Sequence, residues 1–290
     1  MPSDPSDTNR SDSPTMPPPS ARPLTLIVAA TPNPILVPNL HKSNSTLLGI
    51  GHNGTLPWPR IKWDMNFFAR VTTRQRTPQP PGPEPAAARR RTNAIIMGRK
   101  TYFSLPPRLR PLNKRINVVL TRSDNDFGLT KEIERELSAR KAESTARGES
   151  EDHRDVLIAS GLEDALAKLD ARDRGEGDGG VGEVFIIGGA EVYASALRLG
   201  RPQTRILMTC VRKLGSDGDD NNAGQRPFEC DTVFPLTLEE LSDPKRWQEV
   251  GPETVSSWVG ESVEPEWRRE GDIELKVIGY EMVSSKESTR

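Results

Sequence analysis

Leu47-Leu48-Gly49-Ile50-Gly51-His52-Asn53-Gly54-Thr55-Leu56-Pro57-Trp58-Pro59-Arg60-Ile61-Lys62-Trp63-Asp64-Met65-Asn66-Phe67-Phe68 is the stretch on which the reading of the whole chain turns. A glycine-rich loop, Gly49 to Gly54, runs into Leu56-Pro57-Trp58, and a short amphipathic helix is expected from near Pro59 or Arg60. A helix sets i, i+3 and i+4 on one face, so Asp64 belongs beside Phe67 and Phe68. An acid on an apolar face is costly without a partner. Asp64 is then either a first-turn carboxylate favoured by the helix dipole or a carboxylate holding a cationic or amidine-like ligand in an apolar cleft. The rest of the chain decides.

Gly49, Gly51 and Gly54 fit G-x-G-x-x-G, a dinucleotide fingerprint only where it ends a strand and opens a helix. Leu56-Pro57-Trp58-Pro59 follows instead, and two prolines in three residues stop that helix from starting. The segment reads as a mobile loop anchored by Trp58, a lid over a site.

Composition narrows the class. Of the 290 residues, 34% are hydrophobic and the mean hydropathy is −0.61, so part of the length is polar insertion rather than core. A net charge of −1 argues for neither nucleic acid nor an anionic membrane. Cys210 and Cys230 form no CxxC, which leaves no disulfide framework or zinc site to expect; Cys210 sits in an apolar run and reads as core. No apolar run reaches the length of a membrane span. The first twenty residues have no apolar h-region and contain three aspartates, unlike a secretory signal or a mitochondrial presequence. A cytoplasmic location is the default, with a mitochondrial one left open.

Residues 1–22 are Pro-, Ser- and Asp-rich and read as a disordered tail. A single domain is expected over 23–283, with polar inserts near 31–46, 74–92, 123–155, 170–182 and 212–227, and a tail at 284–290. Buried strands are expected at 24–30, 93–98, 115–121, 156–159, 184–189 and 204–211, each a continuous apolar run. Helices are expected at 102–105, at 131–141 (solvated), from Ser160 to about Leu169 with a Ser160/Glu163 capping box, and at 190–197. Two β-patterned runs near 247–257 and 274–282 suggest an antiparallel edge. The arginines at 89–91 read as solvated charge. Strands alternating with helices give an α/β fold: a mostly parallel central sheet, an antiparallel C-terminal edge and helices on both faces.

Ligands of such sheets sit at the carboxyl ends of the strands. Three strand ends suit a phosphorylated dinucleotide. Gly98-Arg99-Lys100-Thr101 offers a helix start and two cations. Gly188-Gly189-Ala190 lets a flat ring or a phosphate approach the backbone. Thr121-Arg122 pairs a hydroxyl with a guanidinium, as a 2′-phosphate needs.

Together these segments resemble the dihydrofolate reductase family. IVAA (27–30), GIGHNGTLPW (49–58), DMNFF (64–68), IIMGRKTYFSLP (95–106), RPLNKRINVVLTR (110–122), VFIIGGAEVY (184–193), DTVFP (231–235) and LKVIGYE (275–281) come in the family's order. The proline-rich inserts are similar to those of filamentous-fungal members. The resemblance implies a single-domain reductase that passes a hydride from NADPH to C6 of dihydrofolate while N5 gains a proton through water. It implies catalytic roles for Asp64, which binds the pterin 2-amino group and N3, for Thr209, which supports the acid, and for Trp58, which closes the loop and orders water. It implies a substrate pocket of Ile27, Met65, Phe68, Leu105 and Leu112, with Arg115 on the glutamate α-carboxylate. For NADPH it implies Ala29, Ile50 and Gly51 near the carboxamide. Gly98, Arg99, Lys100 and Thr101 would take the phosphates, and Thr121 and Arg122 the 2′-phosphate. Ile187, Gly188, Gly189, Ala190, Glu191, Val192 and Tyr193 would lie along the cofactor.

No metal is implied, and a monomer is expected. The residues between 31 and 46 lengthen the connection into the lid, Trp63 is unusual beside the acid, and the insert after Arg122 borders the adenosine side. Two competing readings are the NADPH-dependent pyrimidine reductase of riboflavin synthesis, which lacks the acid-bearing helix face, and a catalytically idle folate- or RNA-binding protein. A fused thymidylate synthase is not expected, since little follows Met282.

Overall fold

The apolar runs seen in the sequence lie side by side in one sheet. A computed structural model describes residues 23–33, 45–75, 91–122, 127–147, 155–176, 180–201, 203–215 and 227–283. β1 (Leu24–Asn33) pairs in parallel with β6 (Gly180–Gly188) and β7 (Arg205–Lys213). β6 pairs with β3 (Arg91–Gly98), β3 with β4 (Ile116–Leu120), and β4 with β5 (Asp155–Ala159), all in parallel. The expected antiparallel edge is present as β11 (Ile273–Met282), which runs against β7 and pairs with β9 (Trp247–Val250) and β10 (Arg268–Glu270).

The parallel strands are apolar on both faces because both are covered. Successive residues of β3 serve opposite sides. Ala94 and Ile96 join Leu166 of α4 (Leu162–Ala171) and Val192 of α5 (Ala190–Leu199). Ile95 and Met97 join Phe67 of α1 (Lys62–Thr73) and Tyr102 of α2 (Arg99–Ser104). α3 (Phe127–Arg147) docks Leu129 and Ile133 into that second core, and α7 (Pro252–Val259) adds Val255, Trp258 and Val259. No helix among the described residues is long and apolar enough to cross a membrane.

Several expectations need correction. The glycine-rich stretch is not all loop: β2 (Leu47–Gly51) runs against β1, with Thr31 opposite Gly49, so residues 31–33 are strand rather than insert. β8 (Thr232–Val233) covers the other side of β2. His52 and Thr55 then exchange backbone hydrogen bonds around Asn53 and Gly54, whose φ values are 49° and 74°. This is a two-residue hairpin turn, for which Asn-Gly is favoured. Gly49 is needed for a close approach: a Cβ there would lie 2.3 Å from Cys230 Sγ.

α1 starts at Lys62, three residues past the prolines. α2 starts at Arg99 and spans the strand end itself. α3 is far longer than the expected solvated helix and is docked rather than free. Ser160 is not a cap: Gly161 is the N-cap of α4, and Asp164 instead accepts from Ser160 N at 2.9 Å. The run near 247–257 is a strand followed by α7, because Gly251-Pro252 breaks the chain and Pro suits a helix start. Residues 180–182 belong to β6. A short helix, α6 (Leu238–Leu241), carries the capping box: Thr237 Oγ1 accepts from Glu240 N, while the Glu240 side chain accepts from Thr237 N. The tails and most of the insert residues expected at 31–46, 74–92 and 212–227 lie outside the described residues. Arg91, the last of the arginine triplet, pairs with Asp173 at 3.0 Å.

Gly49→Ala is expected to destabilise the protein by about 1–3 kcal/mol through overpacking against Cys230. Gly49→Ala in a Cys230→Ala background is expected to cost less than the two single changes summed, since the clash then has room to relax. Urea unfolding of the four proteins checks this, and strict additivity would refute the contact.

Candidate functional site

Parallel pairing brings six strand ends to one edge of the sheet. Ala29 stands opposite Thr209, Met97 opposite Gly188, Gly98 opposite Leu120, and Leu120 opposite Ala159. The segments singled out from sequence therefore converge, although they span residues 27 to 209.

α1 brings Asp64 to this edge. Its N-cap, Ile61, has no side chain able to accept from the first-turn N–H groups. Glu270 of β10 does so from 208 residues away: its carboxylate accepts from Lys62 N at 2.9 Å and from Trp63 N at 3.2 Å. Trp63 stacks on Phe67 at 5.0 Å, and the Arg268 guanidinium lies 5.2 Å from its ring, which gives this unusual residue a packing role. The Asp64 carboxyl accepts from the Thr209 hydroxyl. Burial pushes its pKa above the ordinary aspartate value; the Thr209 bond pulls the other way, and the nearby Glu270 charge adds to the rise. Trp58 is 4% exposed, packs edge-on to Phe228 at 5.7 Å, and its Nε1 has no hydrogen-bond partner among the described residues.

The apolar candidates gather as expected. Ile27 and Leu112 lie in one cluster with Phe67, and half-buried Phe68, Leu105 and Ile187 pack against it. Met65 is half-buried on α1, one helical turn before Phe68. Arg115 is 5% exposed; its Nη1 donates to Thr72 Oγ1 at 2.7 Å and its guanidinium sits 6.0 Å from the Phe68 ring.

The glycine pair at the end of β6 forms a cis peptide, with Gly188 at φ 102°. A Cβ on Gly188 would lie 2.9 Å from Tyr193 Cε2, and one on Gly189 would lie 3.4 Å from Thr101 Oγ1. The β6–α5 and β3–α2 junctions thus face each other. Gly189 and Gly98 are the N-caps of α5 and α2 and have no side chain to cover the first-turn N–H groups. Ala190 and Thr101 are half-buried, Val192 is buried, and Arg99, Lys100 and Glu191 are exposed. Tyr193 is buried, and its hydroxyl donates to Ile27 O at 2.8 Å, behind the junction. Thr121 is buried, its N–H donating to Ala159 O, while Arg122 projects outward. Ala29, Ile50 and Gly51 are half-buried near the β1–β2 hairpin.

This geometry can be set beside known proteins. The dihydrofolate reductase family model matches residues 88–163. The chain is similar to the Schizosaccharomyces pombe dihydrofolate reductase, at 34% identity over 247 residues, which are 84% of this chain and 42% of that protein. It is 30% identical to the Drosophila melanogaster dihydrofolate reductase over 71% of this chain and 80% of that one. It is 28% identical to the Pneumocystis carinii enzyme over 83% and 87% of the two chains. The chain belongs to the dihydrofolate reductase family. It has that family's α/β fold, and it is an NADPH-dependent oxidoreductase. It spans less than half of the S. pombe relative and about four-fifths or more of the other two.

Sequence reading missed the residues that hold the site. Glu270 and Thr72 act across the fold and gave no local signal. Asn117 did give one, as a polar residue inside an apolar strand: it is fully buried, accepts from Leu112 N at 2.9 Å and donates to Leu112 O at 2.8 Å, fixing the turn that carries Leu112 and Arg115. Asp231 was quoted only as part of DTVFP, yet its carboxylate accepts from Asn53 N at 2.7 Å and ties down the hairpin turn. Cys210, read as core, is half-buried and packs against the edge of the first core, and burial is the main force pushing its thiol up to about 12.

A carboxyl whose folded pKa exceeds its unfolded value contributes stability that is full below the unfolded value, about 3.9, and lost as pH rises through the folded one. Asp64→Asn is therefore expected to raise the thermal midpoint above the parent at pH 8, with the gap closing towards pH 4. A series of melts across that range tests it; a midpoint at or below the parent at pH 8 would remove the desolvation argument.

Proposed function

We propose that the cleft at these strand ends is where the chain reduces 7,8-dihydrofolate to 5,6,7,8-tetrahydrofolate. The observation that carries the reading is Asp64: a carboxyl of raised pKa, bonded to Thr209 and flanked by apolar residues. A pterin offers an amino group and a ring nitrogen side by side, and one carboxyl can take both while the apolar wall takes the ring.

The substrate ring would lie among Ile27, Met65, Phe68, Leu105 and Leu112. Arg115, its guanidinium held by Thr72, suits a bidentate grip on the glutamate α-carboxylate. Trp58 Nε1, buried and without a described partner, suits a water shared with the substrate. NADPH fits the opposite side: the Gly188–Gly189 backbone leaves room for a flat ring, the cations Arg99 and Lys100 with Thr101 suit phosphates, and Thr121 with Arg122 suits a 2′-phosphate. Bound NADPH supplies the hydride for C6. The chain's own part is to orient the two rings, exclude water through the apolar cluster and the β1–β2 hairpin, and raise the proton affinity of Asp64 so that a proton is available for N5.

A cytoplasmic, reducing compartment fits Cys210 and Cys230, which form no disulfide with each other, and a monomer is the proposed state. Neither nucleic acid nor membrane is proposed as a partner. The inserts, including 123–155 around α3, are read as additions within one domain.

The test follows loss of NADPH absorbance with dihydrofolate. The parent is expected to turn over and Asp64→Asn to lose ~10²-fold or more, the scale of a positioned proton-handling group. Equal rates in both would keep the activity and take Asp64 out of the mechanism. No turnover by folded parent would move the reading to the pyrimidine reductase. In the same assay Arg122→Ala is expected to raise the KM for NADPH about tenfold and leave that for NADH unchanged, as loss of a charge-assisted contact predicts; equal effects on both cofactors would place the 2′-phosphate elsewhere.

A further inference from the structure

Glu136 of α3 uses both carboxylate oxygens. Oε2 accepts from the Tyr102 hydroxyl at 2.5 Å, and Oε1 accepts from Arg110 Nε at 2.7 Å. The Glu136 and Arg110 side chains are 10% and 9% exposed, and Tyr102 is fully buried. Arg110 also donates Nη1 to Phe103 O at 3.0 Å, and its guanidinium lies 5.6 Å and 5.0 Å from the Tyr102 and Phe103 rings. One turn further along α3, Arg140 donates to Pro107 O at 2.9 Å. Leu129 and Ile133 dock beside Tyr102 and Leu112 in the same apolar cluster. α3 thereby grips the segment 102–110 at several points. That segment has the proposed phosphate group, Arg99 to Thr101, at one end, and the substrate wall, Leu105 and Leu112 with Arg115, along and beyond it.

We propose that Glu136 is a positioning residue that ties the cofactor-binding turn at Arg99–Thr101 to the substrate wall at Leu105–Arg115, so that α3 sets the affinity for both ligands. The inference rests on the ligand assignments proposed above. The shared carboxylate fixes a phenol and a guanidinium from two different elements in one dry place, where charge-assisted bonds are strong. Without it Arg110 keeps only the more distant and more exposed Glu132 carboxylate, 3.9 Å from Nη2, and the segment must relax to hydrate the buried charge. Glu136 acts through Tyr102 and Arg110, so the effect falls on binding rather than on the chemical step.

The experiment uses the full chain with Glu136→Gln, the milder Tyr102→Phe, the double variant and Lys100→Ala. NADPH affinity is read by fluorescence titration without turnover, beside the KM for dihydrofolate, kcat and the melting temperature. Glu136→Gln is expected to weaken NADPH binding and raise the dihydrofolate KM, each about three- to tenfold, with kcat within about twofold. Tyr102→Phe is expected to give part of the effect, and the double variant no more than Glu136→Gln alone. A merely structural carboxylate lowers the melting temperature and the active fraction but leaves both affinities at the parent's values, and that result overturns the proposal. Weakened NADPH binding in Lys100→Ala alone overturns the proposal and leaves the ligand assignment standing. Parent-like affinity in Lys100→Ala and Glu136→Gln together overturns both.

Discussion

The desolvated carboxyl of Asp64 is the constraint around which the site is built. An acid lifted out of water is unfavourable in its charged form. Asp64 is half-buried, and among the described residues no lysine or arginine acts on its carboxyl. The group Asp64 is bonded to is the hydroxyl of Thr209, a neutral donor, and the charge that acts on it among the described residues is that of another acid, Glu270. A cation there would hold the carboxylate down and leave it with little affinity for a proton. With a hydroxyl and an anion, the environment leaves the charge to be balanced by a ligand or by a proton, as a site for a proton-accepting heterocycle requires. Burial of this one carboxyl works against stability wherever it is charged.

The register of the parallel strands provides the other half of the arrangement. Parallel neighbours present their carboxyl ends together, so one sheet edge collects Ala29, Gly98, Thr121, Gly188 and Thr209 without any of them being close in sequence. Two junctions then approach closely: a Cβ on Gly98 would lie a tight 3.3 Å from Val192 Cγ2, and one on Gly189 would make an ordinary contact of 3.4 Å with Thr101 Oγ1. The glycines at 49, 51 and 54 answer a different need. Gly49 admits Cys230, Gly51 lies against Thr232, and Gly54 completes a hairpin turn. The resemblance to a dinucleotide fingerprint therefore comes from three separate packing and turn demands that happen to share its spacing.

This difference explains how far the sequence could be read. Buried parallel strands are continuous apolar runs, and six of them were legible with bounds close to those observed. The segments that meet at the strand ends were legible as well, because glycine, arginine and threonine at the end of an apolar run stand out in combination. What escaped is whatever depends on a distant partner. β2 looked like loop because its pairing with β1 and β8 is what makes it a strand, although Asn53-Gly54 was a hairpin signal that the fingerprint pattern obscured. α3 looked solvated because its docking face is a narrow stripe, Leu129, Ile133 and Leu137, in an otherwise charged helix. The Ser160 capping box failed because Asp164 reaches Ser160 N first.

The same distinction separates the functional groups from the groups that hold them. α1 carries Asp64, but both its ends are fixed by acids from the C-terminal part of the chain. Glu270 closes its N-terminus, and Glu261 receives Arg70 at 2.8 Å and Arg74 at 3.0 Å near its C-terminus. The two arginines are more than a third exposed, so each pair alone contributes little. Glu261, however, is only 19% exposed and is shared by both, and Arg70 drives its pKa below the usual glutamate value. Asp231 does the same for the Asn53 turn, and Glu136 for Tyr102 and Arg110. The residues proposed to meet a ligand lie in the first half of the chain and at two later strand ends, on one edge of the sheet. Most of the carboxylates that hold these segments come from elements far along the chain, such as Asp231, Glu261 and Glu270. A local reading finds the first group because its chemistry is specific, and misses the second because a surface glutamate and a structural one have the same sequence.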